Sequence, residues 1–195
     1  MLYKKFFSLA NQYKVSFDLL LDTMVLNENK SIGTGDTPEE AEINFKNAII
    51  KSDAYLMIPA LFTSLQSAEL FLKGMLLLNG RNIKTKHEVS YSLDVLKEIY
   101  GEKSKEYNCF NKYYKNSIGI IEAFKKSNSI TTTNELYLSL RYPCSKGKEY
   151  EYFDLRFNGK KIINQYIKLK KDLDEISNIV QLKYNDKIMY LARKH

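Results

Sequence analysis

Glu69 and Lys73 stand four residues apart in a stretch, Leu56 to Leu78, that is otherwise largely apolar. An acid placed N-terminal to a lysine at that spacing suits a helical ion pair. In apolar surroundings the pair must be fully satisfied, and removing one partner costs on the order of 3–5 kcal/mol. It can tie bundle helices together, or it can line a polar cleft between them. His87 lies in a second candidate position, within Thr85-Lys86-His87-Glu88 at an expected helix start. The positive end of a helix dipole favours the neutral imidazole, which can accept a proton, hydrogen-bond Glu69 or a backbone group, or simply pack. Arg141 falls in the last turn of a segment stopped by Pro143. A cation is welcome there, and its planar fork fits a phosphate, or an ion pair with Glu69 or another acid. Around it, Tyr137, Tyr142, Tyr150, Tyr152 and Phe153 interleave with Arg141, Lys146 and Lys148. Aromatic rings beside cations suit unpaired RNA bases; the same residues could also fold a loop onto a bundle.

Other chemistries find less support. Gly33-Thr34-Gly35 follows no strand and lacks the third glycine of a dinucleotide loop. Gly147-Lys148 and Gly159-Lys160 lack the upstream glycine of a phosphate loop. Ser64 and Ser67 sit on a plain helix without a nucleophile elbow. Two His and two Cys form no metal-ligand spacing, so neither a metal nor a cofactor is expected. Cys109 and Cys144 are expected to be buried thiols in a reducing compartment. The basic start at Lys4-Lys5 is followed by Asn11, Gln12 and Lys14 rather than by a cleavage pattern, and Glu69 and Lys73 interrupt the longest apolar run. The expected location is therefore the cytoplasm, away from membranes. A net charge of +7 permits an acidic partner such as RNA, although the lysines are spread along the chain rather than clustered.

These residues must be positioned by helices. Phe6, Leu9, Tyr13, Phe17 and Leu20 recur at helical spacing in a first helix over residues 3–26. A polar loop follows, and then Thr37-Pro38 with Glu40 predicts a capped helix start. That second helix is expected to reach Met57, with Pro59 as a boundary or kink. Residues 60–78 form a helix apolar nearly all round, ended by Asn79-Gly80. A second capping box at Thr85-Lys86-His87-Glu88 opens a helix through Leu93, Leu96 and Tyr100, and further helices are expected at 105–126 and 134–142. The last is the most regular: Ile162, Tyr166, Leu169, Leu173, Ile176 and Val180 alternate at four and three residues, as in a bundle helix or a dimer seam. The domain reading is an N-terminal helix and loop over residues 1–36, packed on a bundle over 37–195.

The middle of the chain resembles the HEPN family. Ala68-Glu69 followed by Lys73 looks like that family's second core helix, and Lys86-His87-Glu88 with Leu93 resembles its His-acid helix opening. Leu140-Arg141-Tyr142-Pro143 resembles the Arg-Tyr-Pro segment of one subgroup. The resemblance implies an all-α, up-and-down bundle with the first helix as an addition. It also implies a homodimer whose cleft binds RNA or a nucleotide through Glu69, Lys73, His87, Arg141 and Tyr142. The implied setting is bacterial defence, toxin–antitoxin pairing or stress, with a nucleotidyltransferase or antitoxin as partner. Catalytic members of the family carry an Arg and a His four to six residues apart, which Arg81 and His87 satisfy as text. That pair falls in the loop after the second core helix, whereas the family places it at a later helix. Arg141 holds the later position, and no His follows it before His195. The expectation is a non-catalytic binding module. The alternative is a metal-independent endoribonuclease in which Arg81 stabilises phosphorane charge and His87 moves the 2'-hydroxyl proton.

Overall fold

A computed structural model of the chain describes residues 1–83, 88–115, 118–145 and 147–193. The described residues are helical almost throughout: α1 (Leu2–Leu26), α2 (Pro38–Ile49), α3 (Asp53–Leu78), α4 (Val89–Tyr100), α5 (Lys105–Lys115), α6 (Gly119–Ser127), α7 (Thr133–Arg141) and α8 (Ile163–Ala192). The fold is an all-α helical bundle. Its only strands among the described residues are a two-residue antiparallel pair, β1 (Cys144–Ser145) and β2 (Lys148–Glu149), with Cys144 opposite Glu149.

The backbone groups into two compact units. The first comprises residues 1–14, 65–116 and 171–195; the second comprises 15–64 and 117–170. In the first unit, α1 meets α3 where both carry small residues. Ser67 Oγ donates to the Ala10 carbonyl at 2.9 Å, and Ala10 and Ala68 are fully buried. Phe7 lies so close to Gly74 that a Cβ there would come within 2.4 Å of its ring. Tyr184 of α8 meets Phe7 edge-on at 6.0 Å. In the second unit, Asp53 is a buried hub. Its carboxylate accepts from the Phe157 and Asn158 amides and from the Tyr166 hydroxyl, and its own amide donates to Asn29 Oδ1.

Several helix ends follow the sequence. Thr37 Oγ1 accepts from the Glu40 amide, with Pro38 at the first helical position. Gly80, at φ +71°, closes α3: its amide reaches the Leu77 carbonyl, and the Arg81 amide reaches that of Leu76. This is the paired-bond turn that a left-handed glycine permits.

Other expectations need correction. The helix boundary that is one reading of Pro59 lies elsewhere. α2 ends at Ile49, and α3 starts at Asp53 and runs through Pro59. Asn29 and the Ser52 hydroxyl hold the first amides of α3 and so place the boundary before Pro59. The proline frees the Tyr55 carbonyl, but Tyr55 is 60% exposed and water can serve that group. The single helix expected over 105–126 is two. Ile118, buried and extended, separates α5 from α6. The capping box expected at Thr85 lies largely outside the described residues; Glu88 is the N-cap of α4 and makes no side-chain cap bond. Cys109 is buried, which pushes its thiol up to about 12, but Cys144 is exposed on the hairpin.

Of the two readings of Leu169, Leu173 and Ile176, bundle helix or dimer seam, burial within the chain's own fold fits the bundle helix. The stretch Pro38–Leu78 is long and apolar enough to cross a membrane by length and composition. Its residues Met57, Leu61, Phe71, Leu72 and Met75 are nevertheless buried in the fold, as in a soluble core helix.

Candidate functional site

Each unit carries part of the residues singled out by the sequence. In the first, Glu69 and Lys73 form the i, i+4 pair at 2.7 Å, with side chains 2% and 10% exposed. The pair is thus a desolvated tie on α3, where losing either charge leaves the other buried. Arg81 is exposed one residue beyond the closing turn of the same helix, its backbone fixed by the bond to Leu76. His87 lies outside the described residues.

The second unit holds Arg141 and Tyr142, and there the aromatic and basic residues do converge. Arg141 and Tyr142 are both exposed at the end of α7. The guanidinium lies over the Tyr142 ring at 5.3 Å and donates to its hydroxyl at 3.4 Å. Lys148 Nζ stands 5.8 Å from the centre of the Tyr150 ring, and the Arg156 guanidinium 5.6 Å from that of Tyr152. Phe153 and Phe157 project from the following loop, 77% and 54% exposed. These are cation–aromatic contacts at exposed or half-exposed sites.

The loop is held firmly. Tyr152 stacks on Phe124 at 5.6 Å, and its hydroxyl donates to the Ser139 carbonyl with that of Tyr142 at 3.1 Å. Burial pushes its phenol above the ordinary tyrosine range. Asn128, almost fully buried, brackets Glu151: its amide donates to the Glu151 carbonyl, and its side-chain oxygen accepts from the Glu151 amide, each at 2.8 Å. Lys148 Nζ in turn donates to the Asn128 carbonyl.

Part of the expected stacking surface is structural. Tyr137 is 1% exposed and belongs to the core, and Lys146 lies outside the described residues. The exposed ledge comprises Arg141, Tyr142 and Lys148, with the half-buried Tyr150 beside it.

The HEPN domain model matches residues 36–170. The chain belongs to the HEPN family. The match includes α2 to α7 and the start of α8, and with them both the Glu69–Lys73 pair and the Arg141–Tyr142 ledge. It leaves α1 outside. No curated protein and no solved structure matches the chain. HEPN domains include RNA-binding and nuclease modules.

Asn128, which organises the HEPN ledge, carries no sequence signal beyond that of a turn residue, and Asp53 falls inside the helix expected to reach Met57. The available signal was local: Asn128-Ser129 follows a lysine-rich helix end, and Ser129 takes the left-handed conformation at φ +48°.

Proposed function

We propose that this chain is a non-catalytic HEPN module that binds RNA or a nucleotide. The observation behind this reading is the pair of exposed neighbours Arg141 and Tyr142, stacked at 5.3 Å on the Arg-Tyr-Pro segment. An arginine pre-stacked on a ring offers its remaining donors to phosphate in a fixed fork. The positively charged chain supplies long-range attraction for the same ligand. The proposed setting is cytoplasmic, in bacterial defence, toxin–antitoxin pairing or stress. There the chain works as a homodimer alongside a nucleotidyltransferase or antitoxin. The proposed organisation treats residues 1–36 as an addition to a bundle over 37–195.

The test is direct. A labelled single-stranded RNA should bind, Arg141→Ala should weaken binding to all sequences alike, and the slope of log K against log salt should fall by about one. RNA incubated with the protein in EDTA should remain intact. Retained affinity and an unchanged salt slope in Arg141→Ala would remove Arg141 from the interface.

A second reading, the metal-independent endoribonuclease, draws on the spacing of Arg81 and His87 and on the exposure of Arg81 at a fixed turn. It requires cleavage in EDTA that is lost in both Arg81→Ala and His87→Ala, each loss amounting to roughly 10²–10⁴-fold.

A further inference from the structure

The ledge at Arg141 borders a cavity of about 380 Å³ within the second unit. Its walls come from three short pieces of chain. The turn before α7 contributes Ile130, α7 contributes Asn134 and Leu138, and the hairpin contributes Ser145, Lys148 and Tyr150. Ile130 and Leu138 are apolar, Tyr150 offers a ring, and Asn134 and Ser145 offer short donors and acceptors. Such a lining suits a flat, aromatic ligand with polar edges.

Asn134, Leu138 and Arg141 share one face of α7 at i, i+4 and i+7. Arg141 therefore stands on the same helix face, one turn beyond Leu138, with its guanidinium over the Tyr142 ring. Glu135 also lines the cavity, but its carboxylate is engaged locally. It accepts from the amides of Thr131 and Thr132, bonds that hold it below the usual carboxylate range. A carboxylate here disfavours a phosphate inside the cavity and places an anionic group outside it, towards Arg141. The walls are also pre-set. The bracket of Asn128 on Glu151 and the bond from Lys148 to the Asn128 carbonyl fix the hairpin to the turn before α7.

We infer that this cavity takes an unpaired nucleobase, stacked on Tyr150 and read at its edge by Asn134, with the attached phosphate on Arg141. The inference rests on the binding reading above and gives it a second contact point. The base can belong to a single RNA strand or to a free nucleotide; its chemistry at the cavity is the same.

The test uses the full chain and four labelled or competing probes: a 12-nucleotide RNA strand, the same strand with abasic riboses, AMP and UMP. The base-bearing strand should bind about ten-fold or more tightly than the abasic one, as one base–aromatic stack provides. Tyr150→Leu should erase that difference and Tyr150→Phe should keep it. Asn134→Ala, on the exposed side of α7, provides a second variant that leaves the core untouched. It should reduce the difference between AMP and UMP. A mononucleotide that binds as tightly as the strand, and in a Tyr150-dependent way, assigns the site to free nucleotides. Tyr150-dependent binding of the strand alone assigns it to RNA. Equal affinity for base-bearing and abasic strands would overturn the pocket and leave the RNA reading standing. Absence of any binding by the wild type would overturn both.

Discussion

The hydroxyl of Tyr166 donates to Oδ2 of Asp53 at 3.1 Å, and both residues are buried. The same carboxylate receives the amides of Phe157 and Asn158 at 2.9 and 2.8 Å. Phe157 is held at φ +59°, a left-handed conformation that a side chain resists. Asn29, itself at φ +51°, closes the ring: it accepts from the Asp53 amide and donates to the Gly159 carbonyl. One acid thus fixes the start of α3, the 157–159 loop and the start of α8. Asp53→Ala strands the Phe157 and Asn158 amides and leaves the Tyr166 phenol with its Asn29 contact alone, each unsatisfied group costing roughly 1–3 kcal/mol. The expected loss is at least about 2 kcal/mol, on the same scale. Urea denaturation of the variant measures it; a loss below about 1 kcal/mol would mean that water replaces the carboxylate without penalty.

Tyr166 also makes the fold sensitive to alkali. Burial, and then the neighbouring charge of Asp53, push its phenol above the ordinary tyrosine range. A group raised in the folded state stabilises fully below its unfolded value, about pH 10, and loses that contribution as pH climbs further. The melting temperature should therefore fall above about pH 10. Tyr100 and Tyr152 are pushed the same way by burial, so Tyr166→Phe should make the fall shallower without abolishing it. Parallel curves for the variant and the wild type would show that Tyr166 ionises at the same pH in the folded and the unfolded chain, so that its burial contributes nothing to the fall.

The contrast between Thr37 and Asp53 shows what the sequence could reveal. Thr37 and Pro38 carry their signal within one turn, and the structure reproduces it, although the Glu40 carboxylate accepts from the Asp36 amide rather than from that of Thr37. Asn79-Gly80 did the same for the end of α3. Asp53 depends on partners 104, 105 and 113 residues away, which no local pattern displays. The start of α3 was consequently misplaced at Pro59. Glu69 and Lys73 were legible because both partners of the pair lie on one helix. The ledge was legible in composition but not in burial: Tyr137 and Tyr142 are five residues apart, yet one is in the core and the other 48% exposed. The cavity beside it depends on Asn128 reaching Glu151 across 23 residues.

Glu69 and Lys73 offer a test of tie against ligand site. Lys73→Met leaves a carboxylate in a buried setting and should cost about 3–5 kcal/mol. Replacing both, Glu69→Leu with Lys73→Met, removes both buried charges together and should be milder than the single change. Thermal melts of the three proteins give the comparison. If the double variant also binds RNA as the wild type does, the pair serves the fold. If it is stable but no longer binds, Glu69 and Lys73 belong to the recognition surface.

Leu173 decides where the last helix spends its apolar stripe. It is fully buried, as is Ile176, both in the first unit. A leucine enclosed by its own chain loses contacts and leaves a void when truncated, and Leu173→Ala should cost about 2–5 kcal/mol. Loss of an interface residue has a different signature. It lowers the molecular mass in solution and makes the melting temperature depend on protein concentration. Light scattering of Leu173→Ala below its melting temperature should return the same mass as the wild type, and its lowered melting temperature should shift equally at every concentration. A mass halved by this substitution would place Leu173 at a subunit contact. An unchanged mass would instead direct the search for a homodimer contact to exposed apolar residues, among them Leu182 and Met189 of α8, 62% and 53% exposed. Leu182→Lys should split a dimer built on that face while leaving the melting temperature of the separated chain close to that of Leu182→Ala.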